Sequence, residues 1–268
     1  MLKTRDIALS LVLLLSPAAA FATDINCKGT TNVEEFRYSW RIRGAIRFLA
    51  GLMFPTSGVG DFKTTYPKDG VTSSISSELL ITPSNGENGF YAYESQMDPT
   101  GKQTLMTYSG YAWGNKTRKI RVVVDYVKRL ARIHKETPKG VENTVKTLPG
   151  GDNLRDVLTA IYYLRQNAAT INAPIKTTIY TDGQEYPVIF RPGERRTFTI
   201  EGKTVNARAF EINGIPGGTG KRWPGGVKVY LSDDARRIPF RIEIAESFAS
   251  LQLDLQSIES CGFLQAAK

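Results

Sequence analysis

The chain has little of the chemistry that most enzymes use, with one histidine and two cysteines among its 268 residues. A histidine-based nucleophilic triad would need His134 beside an activated serine or cysteine, and no Gly-x-Ser-x-Gly elbow is present. Histidine, cysteine and carboxylate residues are not spaced as zinc ligands either. The sequence therefore predicts no catalytic residue, no metal site and no cofactor, which favours a non-enzymatic role.

Long hydrophobic runs are absent after the N-terminus, where no segment approaches the roughly 18 to 20 apolar residues of a membrane helix. A positively charged start precedes the apolar run Ile7–Leu15, and Ala20 and Ala22 supply the small-x-small pattern of a signal-peptide cleavage site. We expect residues 1–22 to be removed on export. Residues 23–268 would then form a single β-rich domain in the periplasm, with no transmembrane segment.

The clearest periodicity lies between Phe36 and Phe48. Aromatic and aliphatic residues occupy every second position and polar residues lie between them, the pattern of a β-strand with one buried face. Gly44 is a natural place for a bend or bulge in so long a strand. The polar face carries four arginines, Arg37, Arg41, Arg43 and Arg47.

This row of arginines, the arginine stripe, is the first candidate ligand-binding site. Guanidinium groups hold phosphate or carboxylate in a two-pronged geometry, so an anionic lipid or glycolipid of the envelope is a suitable partner. The alternative is a solvated face whose arginines pair with acids on a neighbouring strand. The net charge of +9 fits both interpretations, because excess charge serves solubility as well as attraction to anionic molecules.

Further strand-like runs, separated by turn-forming residues, occupy most of the remaining chain. No fixed-length repeat is visible, and strands do not alternate with helices, so a propeller, a solenoid and a parallel sheet are all disfavoured. Asp182-Gly183 and Glu201-Gly202 are expected to form tight turns. The runs are 71–81, 91–97, 105–113, 120–126, 175–181, 186–190, 197–200, 205–212, 227–231, 238–245 and 248–255.

One amphipathic helix separates the two series of runs. Apolar residues recur at helical spacing from about Asn153 to Gln166, and Asp152 can cap the first turn. Tyr162 and Arg165 are further candidates to line a ligand pocket, the alternative being helix packing with a buried tyrosine hydrogen bond. The predicted fold is mainly β, a curved antiparallel sheet or half-barrel with one central helix over its concave side.

Three stretches, Val122–Tyr126, Asp152–Arg165 and Val227–Arg241, follow one another in the chain. In this order they resemble the family of domain of unknown function 3108, which occurs in exported bacterial proteins. The hairpin Tyr230–Pro239 is very close to the family signature, and Glu194 stands where the family often carries a glutamate. The second stretch, Asp152–Arg165, departs from the usual residues of the family at Arg155–Leu158. The resemblance covers roughly residues 34 to 257 and implies no established activity. The architecture is also similar to that of periplasmic lipoprotein carriers.

We therefore expect an envelope protein that binds an apolar or anionic envelope molecule such as a lipid or glycolipid, and no nucleic acid. The alternative is a hydrolase that acts on envelope glycans through paired carboxylates, for which Asp233 and Asp234 are the nearest candidates. Adjacent acids in a hairpin turn are also expected to accept the turn amides. The oligomeric state stays open.

The two cysteines, Cys27 and Cys261, lie near opposite ends of the mature chain. An oxidising compartment favours one disulfide between them, and closing so long a loop stabilises a protein by about 4 to 5 kcal/mol in the chain-entropy model. Two independent thiols are the alternative. Denatured, unreduced protein is expected to show no free thiol in a titration with a chromogenic thiol reagent. Two titratable thiols per chain would contradict the disulfide.

Overall fold

The computed structural model describes residues 32–44, 55–67, 74–84, 89–148, 154–215, 223, 225–245 and 250–260. Within these ranges, one antiparallel sheet contains 14 strands, and one α-helix, α1 (Val157–Asn167), lies between the eighth and the ninth strand. The strands are β1 Val33–Arg43, β2 Ser57–Thr65, β3 Ile75–Pro83, β4 Gly89–Met97, β5 Thr104–Trp113, β6 Lys116–Asp125, β7 Leu130–Thr137, β8 Gly140–Thr147, β9 Ile175–Thr181, β10 Gln184–Ile200, β11 Lys203–Gly214, β12 Gly226–Ser232, β13 Pro239–Ala245 and β14 Ser250–Ser260.

Nearly every strand pairs with its neighbours in the sequence. The exception is the pair formed by the first and the last strand, β1 and β14, which lie side by side in the middle of the sheet. Strands β8 and β9 therefore form the two edges of the sheet. The expected turns Asp182-Gly183 and Glu201-Gly202 are confirmed. All four residues have positive φ angles, as the two-residue hairpin turns that match strand twist require.

The sheet curves so that its two ends approach each other, and the segment before α1 is hydrogen-bonded to a strand in each half of the sheet. The amide of Thr104 in β5 donates to the carbonyl of Leu154 at 2.9 Å, and the amide of Tyr180 in β9 donates to the carbonyl of Arg155 at 2.7 Å. At the β9–β10 turn, Gly183 lies so close to Ile133 of β7 that an added Cβ would come within 2.3 Å of its Cδ1. The prediction of a curved antiparallel sheet is therefore confirmed.

Helix α1 lies against the inner, concave face of this sheet. Its buried residues Leu158, Ile161 and Leu164 pack in the main core with Phe36 and Trp40 of β1. Fully burying an aliphatic side chain of this size contributes about 1.5 to 3 kcal/mol, so packing, more than intrinsic propensity, stabilises so short a helix. The expected central helix on the concave side is confirmed. None of the helices described combines the length and the apolar character needed to cross a membrane.

The predicted start of the helix was wrong. The helix begins at Val157, and Asp156, not Asp152, is its N-cap, with Oδ1 accepting a hydrogen bond from the Thr159 amide at 2.7 Å. The reason is the sheet edge, because Arg155 forms a parallel bridge with Ile179 that keeps the chain extended up to the cap. Residues 149–153 lie outside the described residues.

Two strand boundaries also differ from the predictions. Strand β1 ends at Arg43, and Gly44 then adopts a φ angle of 112°, so the expected bend is present; residues 45–54 lie outside the described residues. The separate runs predicted at 186–190 and 197–200 form one strand, β10, because a bulge between Pro192 and Arg195 absorbs the proline and glycine that suggested a break.

Asp156 makes the stability of the fold depend on pH. Burial raises the pKa of this carboxyl from 3.8 to about 6. Between pH 3.8 and about pH 6, the Asp156 carboxyl is deprotonated in the unfolded chain but still protonated in the folded chain. Raising the pH through this window therefore favours unfolding. Across this window the free energy of unfolding falls by about 3 kcal/mol, since one pKa unit corresponds to about 1.4 kcal/mol. Asp156→Asn keeps a good cap but cannot titrate.

Urea unfolding of the wild type and of Asp156→Asn, from pH 4 to pH 7, gives the free energy of unfolding of each protein. The difference between the two free energies measures the effect of Asp156. The stability of the wild type, relative to Asp156→Asn, should fall as the pH rises through this window. A difference that does not change with pH would show that Asp156 titrates normally.

Candidate functional site

The candidate residue Arg165 forms a buried ion pair with Glu34 of β1. Its Nη1 and Nη2 donate to the two carboxylate oxygens at 2.6 and 2.7 Å, and its side chain is 1 % exposed. Nε donates to the carbonyl of Arg237 and Nη2 to that of Arg236. Burial lowers the pKa of Arg165, but the charge and hydrogen bonds of Glu34 outweigh burial and raise it. The protein itself therefore uses most of the donors of this guanidinium.

Tyr162 is also placed in the core. Its ring packs against Tyr66 with centroids 6.2 Å apart, and its hydroxyl accepts a hydrogen bond from Gln166 at 3.2 Å. Burial raises its pKa to about 12. Tyr162 and Arg165 thus occupy enclosed positions, as the helix-packing alternative expected.

The described members of the arginine stripe, Arg37, Arg41 and Arg43, lie on the outer face of the sheet, opposite α1. Arg37 pairs with Asp61 at 3.0 Å and Arg41 with Asp254 at 2.7 Å, so acids of the neighbouring strands β2 and β14 hold two of the four charges. Arg43 is exposed, and Arg47 lies outside the described residues. These pairs fit the solvated-face interpretation for Arg37 and Arg41, while lipid binding by the stripe stays a prediction.

Along β4, the inner-facing side chains change from buried to exposed beyond the reach of α1. Ser95 Oγ lies 2.9 Å from Thr159 Oγ1 of the helix, and Met97 is fully buried. Further along the same face, Tyr93 and Tyr91 are 39 % and 41 % exposed. Side chains two residues apart on a strand share a face, so both tyrosines belong to the face that elsewhere forms the core.

The register confirms this placement. Tyr93 lies opposite Leu79 and Tyr91 opposite Ile81 on β3, and both of these aliphatic residues are buried in the main core. The face is therefore continuous from the core to the exposed tyrosines.

Neighbouring strands extend the exposed aromatic surface. Tyr111 of β5 lies opposite Tyr91 with ring centroids 5.8 Å apart. Trp113 lies across Gly89, where an added Cβ would meet the indole at 2.3 Å, so glycine is required there. From the other end of the sheet, Tyr186 of β10 contacts Trp223 edge to face at 5.3 Å. We call the whole set the aromatic recess: Tyr91, Tyr93, Tyr111, Trp113, Tyr186 and Trp223.

An ion pair between Arg118 and Asp182, at 2.9 Å, lies between the two halves of the aromatic recess. Asp182 also accepts a hydrogen bond from Ser109 at 2.7 Å. Burial, and then the charge of Asp182, raises the pKa of Tyr93 and of Tyr186, which places both hydroxyls near this pair. Tyr93 is thus partly desolvated while part of its surface stays exposed.

Glu194, which the family resemblance singled out, fixes the bulge of β10. It accepts hydrogen bonds from the Tyr230 hydroxyl at 2.6 Å and from Lys228 Nζ at 3.3 Å. The tyrosine hydrogen bond is the main reason why its pKa is lowered to about 2. This glutamate therefore ties the bulge to β12 and has a structural explanation.

The other polar candidates are used by the fold. Asp234 Oδ1 accepts the amides of Arg236 and Arg237, which confirms that this acid binds the turn amides. His134 lies on β7 with its ring nitrogens beside Asn143 and Glu136. In the part of the chain that the structure describes, no three histidine, cysteine or carboxylate side chains are grouped as a metal site requires.

The fold and the aromatic recess define a β-rich protein whose curved sheet packs on one helix and leaves aromatic rings of its inner face exposed. The chain matches the family described as protein of unknown function (DUF3108) over residues 56–256, and it belongs to this family. The resemblance inferred from the sequence is thus confirmed. No curated protein sequence matches the chain.

Among solved structures, the chain is similar to the crystal structure of a beta-barrel-like protein of domain of unknown function DUF1849 from Brucella abortus. The TM-score is 0.54, and the match covers 87 % of this chain and 99 % of that chain at 9 % sequence identity. At this identity the similarity concerns the fold alone.

The buried ion pair is expected to be essential for stability. Arg165→Met would leave Glu34 charged and unpaired in the core, and breaking a buried pair in this way costs about 3 to 5 kcal/mol. Urea unfolding of wild type and variant measures the loss. Arg37→Met is the matched control, because it removes one partner of the exposed pair with Asp61 and should change stability little. Equal losses in the two variants would contradict the role given to Arg165.

Proposed function

We propose that the protein is exported to the bacterial envelope, where it binds an amphipathic molecule, a lipid or glycolipid, whose apolar part is held against the aromatic recess. The observation that carries the proposal is the exposure of Tyr91 and Tyr93 on the face of the sheet that otherwise forms the core. An apolar group that covers these rings removes their apolar surface from water, which favours binding.

The composition of the aromatic recess supports a small molecule as the ligand. Small-molecule sites are concave and largely apolar, with a few well-placed polar groups. The aromatic recess has this composition, because the Arg118–Asp182 pair lies among the rings and Lys116 stands opposite Trp113 at the end of the strands. The rings suit an acyl chain, and the charged groups at the rim suit its head group.

The expected location supports the choice of a lipid. The N-terminal pattern of residues 1–22 predicts export, and envelope lipids are amphipathic molecules available in the periplasm. The glycan hydrolase is not carried further, since Asp234 is engaged by the turn amides and Asp233 lies 3.5 Å from Arg195. Neither arrangement resembles two carboxylates facing a common substrate.

Titration with single-chain lipids tests the proposal. Lysophosphatidylcholine and lysophosphatidylglycerol, kept below their micelle concentrations, should bind the wild type and shift the fluorescence of Trp113 to shorter wavelength. Covering the exposed part of one tyrosine ring, on the order of 80 Å² at about 25 cal/mol per Å², contributes about 2 kcal/mol. The double variant Tyr91→Ser/Tyr93→Ser should therefore bind at least about tenfold more weakly by calorimetry.

Tyr108→Ser is the matched control, because Tyr108 lies on β5 opposite Glu94 and faces outward. It should leave lipid affinity unchanged. The proposal fails if neither lipid binds the wild type, or if the recess variant and the control bind as tightly as the wild type.

A further inference from the structure

A second recess lies at the C-terminal end of α1, where the helix meets β10, β11 and the β12–β13 hairpin. Its volume is about 370 Å³, within the range of about 300 to 1,000 Å³ typical of ligand pockets. Four charged residues line it, Arg195, Arg208, Arg237 and Asp233. We call it the arginine recess.

Two of the three arginines have no carboxylate within ion-pair distance among the described residues. Arg208 makes a long hydrogen bond to Asn172, at 3.5 Å, and its guanidinium lies 5.6 Å from the ring of Phe210. Arg237 donates to the carbonyl of Ser232 at 3.1 Å. The guanidinium groups of Arg208 and Arg237 therefore lie on the wall of the arginine recess without a carboxylate partner among the described residues.

The register adds an independent observation, because Arg195 and Arg208 stand directly opposite each other on β10 and β11. Like charges in this arrangement destabilise a sheet. Asp233 approaches Arg195 only to 3.5 Å, and Arg195 remains 72 % exposed. An anion between the two arginines would remove their repulsion.

The charges of the recess leave a positive surplus. Three arginines outweigh Asp233 by two charges, and the C-terminus of α1 contributes about half a negative charge. A cation is therefore excluded by charge, and an anion is favoured.

We propose that the arginine recess binds a phosphate group, carried either by a free phosphate ester or by the head group of an envelope lipid. Several guanidinium forks around one cavity match the three or four terminal oxygens of a phosphate group better than the two oxygens of a carboxylate. The backbone of Arg237 on the wall of the recess is fixed before a ligand binds, because its amide donates to Asp234 and its carbonyl accepts from Arg165. Such preorganisation lowers the entropic cost of binding. The site does not depend on the aromatic recess.

Calorimetry with inorganic phosphate at constant ionic strength is the direct test. The wild type should bind phosphate, and Arg195→Gln/Arg208→Gln should bind it at least about tenfold more weakly, since it loses two charged donors. The matched control is Arg132→Gln/Arg191→Gln, which removes the same charge from exposed positions outside the recess and should bind phosphate as the wild type does. Phosphate should raise the melting temperature of the wild type and of the control, but not that of the recess variant.

Vesicles identify the source of the phosphate. Co-sedimentation with phosphatidylcholine vesicles that contain phosphatidic acid, but not with pure phosphatidylcholine, and loss of this binding in the recess variant, would assign a lipid head group. Phosphate binding without vesicle binding would assign a free ester. Equal weakening in both double variants, equal affinity for acetate and phosphate, or no phosphate binding by the wild type would overturn the proposal.

Discussion

The buried pair of Glu34 and Arg165 is the interaction on which the arrangement of the protein depends. Strand β1 lies in the middle of the sheet, and its Glu34 pairs with Arg165 in the last turn of the only helix described. The same guanidinium binds two carbonyls of the β12–β13 hairpin, and Glu34 also accepts the hydroxyl of Tyr66 beyond β2. Taking both charges out of water is costly, and the cost is offset only when hydrogen bonds satisfy the remaining donors and acceptors, as they do here. The pair therefore fixes where the helix lies on the sheet.

The position of the helix determines which part of the inner face stays open. Helix α1 has 11 residues and is about 16 Å long, whereas β4 with 9 residues extends about 30 Å. The helix cannot cover the whole strand, so Ser95 and Met97 are buried while Tyr91 and Tyr93 are not. Exposed apolar surface that is gathered in one concavity is a common mark of a binding site.

Local patterns in the sequence predicted the elements whose residues alternate between a buried and a solvated face. Strand β8 was missed because it lies at the sheet edge and carries polar residues on both faces. The second half of β7 beside it is polar on both faces as well, with Lys135 opposite Glu142 on the inner side. Strand β2 was missed because glycines dilute its pattern. Gly58 is needed there for contact, since an added Cβ would lie 2.5 Å from Trp40 Nε1.

The candidate sites were harder to predict than the fold. Arg165 was identified, but its partner Glu34 is 131 residues away in the chain, and no local spacing connects the two. Tyr91 and Tyr93 were visible as one face of a strand, yet their exposure depends on how far a distant helix reaches. The arginine recess depends in the same way on a register between β10 and β11 that a bulge shifts, so no sequence period could place Arg195 opposite Arg208.

The two recesses lie toward opposite ends of the same strands. On β11, Gly214 lies beside Trp223 of the aromatic recess and Arg208 lines the arginine recess. Gly214 is six positions after Arg208, which corresponds to about 20 Å along the strand. The C-terminal end of α1 lines the arginine recess, while its contact with Ser95 ends short of the exposed tyrosines. A single amphipathic ligand could reach both only by extending along the inner face beside the helix. Because the Glu34–Arg165 pair holds the helix against that face, the two proposed sites are separate from each other.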